Sequence, residues 1–98
     1  MTPRLVYRGR WLLHCAGVTR PLTNQQVSLL LHMAFKHPDH MMSEATALDI
    51  LWPDADSMPE YWMKALGVVI AQLRKSCAGM GLRVVNRAGF GWGIETEH

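Results

Sequence analysis

The sequence lacks the features that would place it in a membrane, in a secretory route or among enzymes. No stretch of its 98 residues approaches the roughly 20 apolar positions needed to span a bilayer. The opening Met1-Thr2-Pro3-Arg4 lacks the charged segment and apolar run of a secretory signal, so a cytoplasmic protein with no membrane partner is expected. The two cysteines, Cys15 and Cys77, have no metal-ligand spacing, and two free thiols are expected, with Cys77 packed in a helix.

Catalytic patterns are missing as well. His32, His37 and His40 are close in sequence, but Pro38 interrupts them and no cysteine or spaced carboxylate completes a tetrahedral set, so no metal or other cofactor is expected. No Gly-x-Ser-x-Gly nucleophile turn occurs. The glycines of Gly89-Phe90-Gly91-Trp92-Gly93 lie between strand patterns, without the following helix that a phosphate loop needs. Asp54 and Asp56 sit in a loop pattern with nothing to raise a carboxyl pKa, and the chain is not expected to be an enzyme.

Charge is distributed more tellingly than its formal net value of +2. From Asp39 to Glu60 the chain carries Asp39, Glu44, Asp49, Asp54, Asp56 and Glu60 with no Lys or Arg between them. Arg4, Arg8, Arg10 and Arg20 precede this block, while Lys64, Arg74, Lys75, Arg83 and Arg87 follow it. An acidic middle between two basic ends fits either solvated faces or a polyanion held by the ends.

What is present reads as one α+β domain over residues 1–98, without internal repeats and with a single modest core. Residues 4–22 suggest a meander of short antiparallel strands: Leu5-Val6-Tyr7 ending at Gly9, Trp11-Leu12-Leu13-His14 running to Ala16-Gly17, and Val18-Thr19-Arg20 stopping at Pro21. Thr23 and Gln26 form a capping-box pattern opening a helix over 24–37, with Val27, Leu30, Leu31, Ala34 and Phe35 on one face and His37-Pro38 as its stop. Ser43 caps a second helix over 44–52, whose Leu48, Leu51 and Trp52 share a face before Pro53.

Ser57 and Glu60 suggest another capping box before a third helix over 59–78, whose stripe is Leu66, Ile70, Leu73 and Cys77, extended backwards by Met63 or Trp62. Gly79 and Gly81 end that helix, and residues 82–96 read as a hairpin around Arg87-Ala88-Gly89. The seven methionines are read mainly as core filler, with Met41, Met42 and Met58 expected at exposed connectors.

Four segments in this order resemble the OmpR/PhoB-type winged-helix domain that ends bacterial response regulators. They are Gly17–Thr23 entering Val27–Leu30, Ser43–Trp52, Ile70-Ala71-Gln72-Leu73-Arg74-Lys75, and Val84–Phe90 with its Gly-aromatic pair. Gly89-Phe90 and Gly91-Trp92 both match that pair, which leaves the register of the hairpin open. The resemblance implies a winged helix-turn-helix in which the third helix enters the major groove of double-stranded DNA and the hairpin wing follows the neighbouring groove.

Carried over by position, the base-facing row is Lys64, Ala65, Gly67, Val68, Ala71 and Gln72. Only Lys64 and Gln72 offer hydrogen bonds to bases, while Val68 and Ala71 would meet thymine methyls, which suits an A·T-rich site. The resemblance also implies phosphate contacts from Arg74, Lys75 and Trp52, a backbone contact from Arg83, and Asn86 and Arg87 at the wing tip, where a guanidinium can enter a narrow minor groove. No receiver domain occurs in this sequence, so aspartyl phosphorylation within it is not expected.

The leading expectation is therefore a small stand-alone transcription regulator, of the kind carried by phages and other mobile elements, acting as a homodimer on repeated half-sites. The apolar row leaves a second reading open. In it the fold serves as a protein-interaction module that uses the apolar third helix, or the acidic second helix with its loop to Glu60, to bind a host regulator or RNA polymerase, and DNA readout has been lost.

Overall fold

A computed structural model describes residues 3–36 and 41–96. Strands β1 (Arg4–Tyr7), β2 (Trp11–Cys15) and β3 (Val18–Leu22) form one antiparallel sheet in the order β1-β2-β3. Helix α1 (Asn24–Leu30) continues as a π-helical segment, Leu31–Lys36, and is followed by α2 (Glu44–Leu51) and α3 (Trp62–Cys77). Strands β4 (Leu82–Arg87) and β5 (Gly91–Thr96) close the chain's α+β arrangement as a separate antiparallel hairpin.

The β2–β3 connection is as tight as a hairpin allows. Cys15 pairs with Val18, leaving Ala16 and Gly17 as the turn at φ of 53° and 77°, the positive values that a two-residue turn needs to match strand twist. The expected stop at Pro21 is not observed, because β3 runs through it to Leu22, with Pro21 opposite Leu12. As β3 lies at the sheet edge, a residue without an N–H can sit there without breaking an inner ladder.

The capping box of α1 forms as expected. Gln26 N–H donates to Thr23 Oγ1 at 3.2 Å, and Thr23 N–H donates to Gln26 Oε1 at 2.9 Å. Its buried side chains include Val27, Leu29, Leu30 and Met33, whereas Leu31 and Ala34 are only partly buried. The buried surface is wider than one stripe because α1 packs against both α2 and α3, and the switch to π pitch after Leu30 rotates the later positions. The stop at His37-Pro38 and the connector residues Asp39 and His40 lie outside the described residues, as does the side chain of Phe35.

In α2, Ser43 Oγ accepts the Thr46 N–H at 3.2 Å, and Ala47 is fully buried while Leu48, Leu51 and Trp52 are half-buried. Helix α3 begins at Trp62, three residues after its expected start, and its N-cap Tyr61 makes no side-chain cap bond. The Ser57–Glu60 box does not form. Ser57 instead donates its hydroxyl to the Asp54 carbonyl at 2.7 Å, and Asp54 Oδ1 accepts the Asp56 N–H at 3.0 Å, within a 3-10 turn over Ala55–Ser57. Short polar side chains there bond to their own backbone and compete with helix initiation.

The inner stripe of α3 is Leu66, Val69, Ile70, Leu73 and Cys77. Met63 does not extend it, being 65% exposed. Methionines do fill the core, and of those in connectors Met42 is not exposed: it is fully buried with Met33 and Met80, while Met41 and Met58 are partly buried. Met42 is drawn in by its backbone, whose N–H donates to Trp92 O at 2.6 Å and whose carbonyl accepts the Trp92 N–H at 2.9 Å.

Candidate nucleic-acid interface

The packing of α3 determines what its other side presents. With the inner stripe against the core, Lys64, Gly67, Val68, Ala71, Gln72 and Lys75 face solvent, Val68 being 47% exposed. Lys64, Val68 and Gln72 follow one another at four-residue spacing, so they form a single row along the helix. A shallow groove of about 780 Å³ runs beside this row, walled by Gln25 of α1, by Trp52 after α2, and by Pro59 and Tyr61 before α3.

Of the residues singled out by sequence, Trp52, Lys64, Ala65, Val68 and Gln72 therefore meet in one groove, with Ala65 half-buried. Ala71 is exposed on the adjoining row. Gln25 and Tyr61 were missed. Gln25 reads as an ordinary polar residue in the first turn of a helix, and Tyr61, 70% exposed, was assigned to the helix it precedes.

Arg74 and Lys75 are exposed in the last turn of α3, where cations also oppose the negative end of the helix dipole. Arg74 has a second attachment, since its Nε donates to the Val84 carbonyl of β4 at 3.5 Å and links helix to hairpin. Arg20 of β3 binds the same helix end: its Nη1 reaches the carbonyls of Lys75 at 3.1 Å and Ser76 at 3.3 Å. Carbonyls at a helix end lack the usual i+4 partner, and that of Lys75 also accepts the Ala78 N–H at 3.3 Å.

The C-terminal hairpin differs from the expected cationic tip. Asn86 pairs with Trp92 and Arg87 with Gly91, which puts both residues on β4 and leaves Ala88, Gly89 and Phe90 as the turn. Glu95 lies across from Arg83, and their side chains meet at 2.7 Å; Arg87 Nη2 is 4.0 Å from the other Glu95 oxygen. One carboxylate thus opposes both hairpin arginines, although each stays more than half exposed, at 59% and 68%.

The two Gly-aromatic pairs also separate. Trp92 is half-buried in β5 and bonded to Met42, whereas Phe90 is 69% exposed in the turn. Gly91, at φ +116°, must be glycine twice over: a side chain there would be strained, and its Cβ would overlap the Met42 carbonyl.

Among the described residues no three His, Cys, Asp or Glu side chains converge as a metal site would require, and no helix is long and apolar enough to cross a membrane. Cys15 and Cys77 are free and buried. Burial pushes the Cys77 thiol up to about 11, with Cys15 adding to the shift and Arg20 opposing it. Such a thiol is a poor nucleophile at neutral pH. Compared with known proteins, the chain matches no family model, no curated protein and no solved structure.

Proposed function

We propose that this chain is a winged-helix regulator that binds double-stranded DNA, with α3 in the major groove and the β4–β5 hairpin as its wing. The observation that carries this reading is the outer face of α3. It is a straight, exposed row of Lys64, Val68 and Gln72, with Ala71 beside it and Arg74 and Lys75 at its end. A bare helix of this width fits a major groove, Gln72 can pair bidentately with adenine, Lys64 can reach a base edge or phosphate, and Val68 and Ala71 suit thymine methyls. Arg74, Lys75, Arg83 and Arg87 supply cations for phosphates, which position the domain without reading sequence.

Trp52, half-buried in the wall of the groove, suits a backbone contact. A single domain of this size makes few contacts, so tight binding calls for two copies on adjacent half-sites.

Fluorescence anisotropy with a random duplex pool at two salt concentrations tests the reading. The wild-type chain should bind with an affinity that falls as salt rises, because each phosphate neutralised releases counterions. A Lys75→Glu, Arg87→Glu double variant should lose that binding. Absence of binding by the wild type at low salt rejects a DNA role. It would favour the second reading, for which the Trp52, Pro59, Tyr61 and Val68 lining of the groove is the specific support: a host regulator or RNA polymerase would then dock an apolar segment there.

A further inference from the structure

We infer that Phe90 is an apolar wedge, inserted by the wing between two base pairs from the minor groove, and that the domain kinks its DNA there. The inference rests on the DNA reading above and concerns how the wing engages its groove. Three features of the hairpin carry it.

The first is what stands at the tip. Glu95 opposes Arg83 and Arg87, and next to Arg87 the turn carries Phe90, an aromatic side chain exposed over 69% of its surface that borders a shallow pocket with Ser43 and Glu44 at the start of α2. The second is how it is held. Phe90 N–H donates to the Arg87 carbonyl at 2.9 Å and Gly89 takes φ +84°, closing a tight turn that fixes the direction in which residue 90 projects. The third is the support beneath it. The paired hydrogen bonds between Met42 and Trp92 bind the turn end of the hairpin, two residues from Phe90, to the segment entering α2, and Arg74 Nε reaches the Val84 carbonyl of β4, so the hairpin is tied to the helical part at two points.

A rigid hairpin with an apolar tip and cations on its flank is suited to minor-groove wedging, in which a Phe, Leu, Ile or Met side chain unstacks one base step while neighbouring cations hold the phosphates. The cost of unstacking is least at pyrimidine–purine steps such as TA and CA/TG. The wing therefore favours sites with such a step where its tip lands, beyond any preference written by α3.

The test uses the full chain and duplexes selected by it from a random pool, labelled with a donor and an acceptor dye at opposite ends. Wild type should shorten the end-to-end distance by a bend within the range of about 20–90° seen for inserted wedges. Phe90→Ala should bind the same duplexes nearly straight, Phe90→Leu should restore the bend, and Arg87→Ala should weaken binding while leaving the bend in the residual complex. Because residue 90 is exposed, both Phe90 variants should melt at the wild-type temperature. A wild-type complex with straight DNA, or a Phe90→Ala complex bent as strongly as wild type, overturns the wedge and leaves the DNA reading standing. Failure of the wild type to retain any duplex at low salt overturns both.

Discussion

On one side of α3, Leu66, Val69, Ile70, Leu73 and Cys77 are sealed into the core; on the other, Lys64, Gly67, Val68, Ala71, Gln72 and Lys75 meet solvent. The inner side is dictated by the fold, since each of its residues fills a volume that neighbours have shaped. The outer side is left exposed beside a shallow groove. Gly67 makes this plain: a Cβ there would meet no atom within 4 Å, yet the position keeps glycine in the middle of a sixteen-residue helix. The inner face thus answers for stability, the proposed function assigns the outer face to a partner, and substitutions that separate the two quantities test that division.

The largest effect is expected at Leu73, which is fully buried. Leu73→Ala should lower the unfolding free energy by about 2–5 kcal/mol, through lost burial and a residual cavity. Urea denaturation measures it directly, and a loss under 1 kcal/mol would show that the inner face is not close-packed.

Next comes the pH dependence carried by Cys77, on the same inner face. Its folded value of about 11 lies above the ordinary 9.0, so the fold favours the neutral thiol. The contribution is fully present below 9.0 and is lost as pH rises through about 11, because the unfolded chain ionises first. Thermal melts from pH 8 upward should show stability falling across that window. Cys77→Ala should be less stable at neutral pH but should fall less steeply above it, and equal slopes would contradict this origin.

On the outer face, Gln72→Ala should change unfolding by no more than about 0.5 kcal/mol, as exposed positions usually do. Discrimination between the selected duplex and one with the contacted A·T pair replaced should shrink by about 1–3 kcal/mol. Competition binding with the two duplexes provides the measurement. The smallest and most diagnostic change is Gly67→Ala, expected to raise stability by about 0.5–1 kcal/mol because it removes a flexible residue from a helix interior. Duplex affinity should move the opposite way if α3 seats deeply. A gain in both would place Gly67 away from the closest approach.

The parts legible in the sequence were those governed by local patterns. The Thr23–Gln26 box, the Ser43 cap, the Ala16-Gly17 turn and most of the α3 stripe all depend on residues a few positions apart. What escaped depended on contacts between distant segments or on competing local bonds. Leu29 is fully buried because α1 is covered by two helices, which a one-stripe pattern cannot express. Ser57 matched a capping box by spacing, but Asp54 captured its hydroxyl.

The candidate site shows the same boundary. The row Lys64, Val68, Gln72 is a matter of helical spacing and was readable, whereas Gln25 joins it only because α1 packs beside α3. Glu95 sits between Arg83 and Arg87 through strand register, twelve and eight residues away in sequence. Phe90 and Trp92 both follow a glycine, and what sets them apart is the pairing of Trp92 with Met42, fifty residues away in sequence.

That Met42–Trp92 junction has a bearing on time as well as shape. Two hydrogen bonds between segments fifty residues apart, with Gly91 letting the backbones meet, put the hairpin in place before any encounter. A surface already in its docking form loses little conformational freedom on capture. Encounter with a partner should then be a single-step event whose rate follows collision and charge steering, with no slow ordering phase behind it.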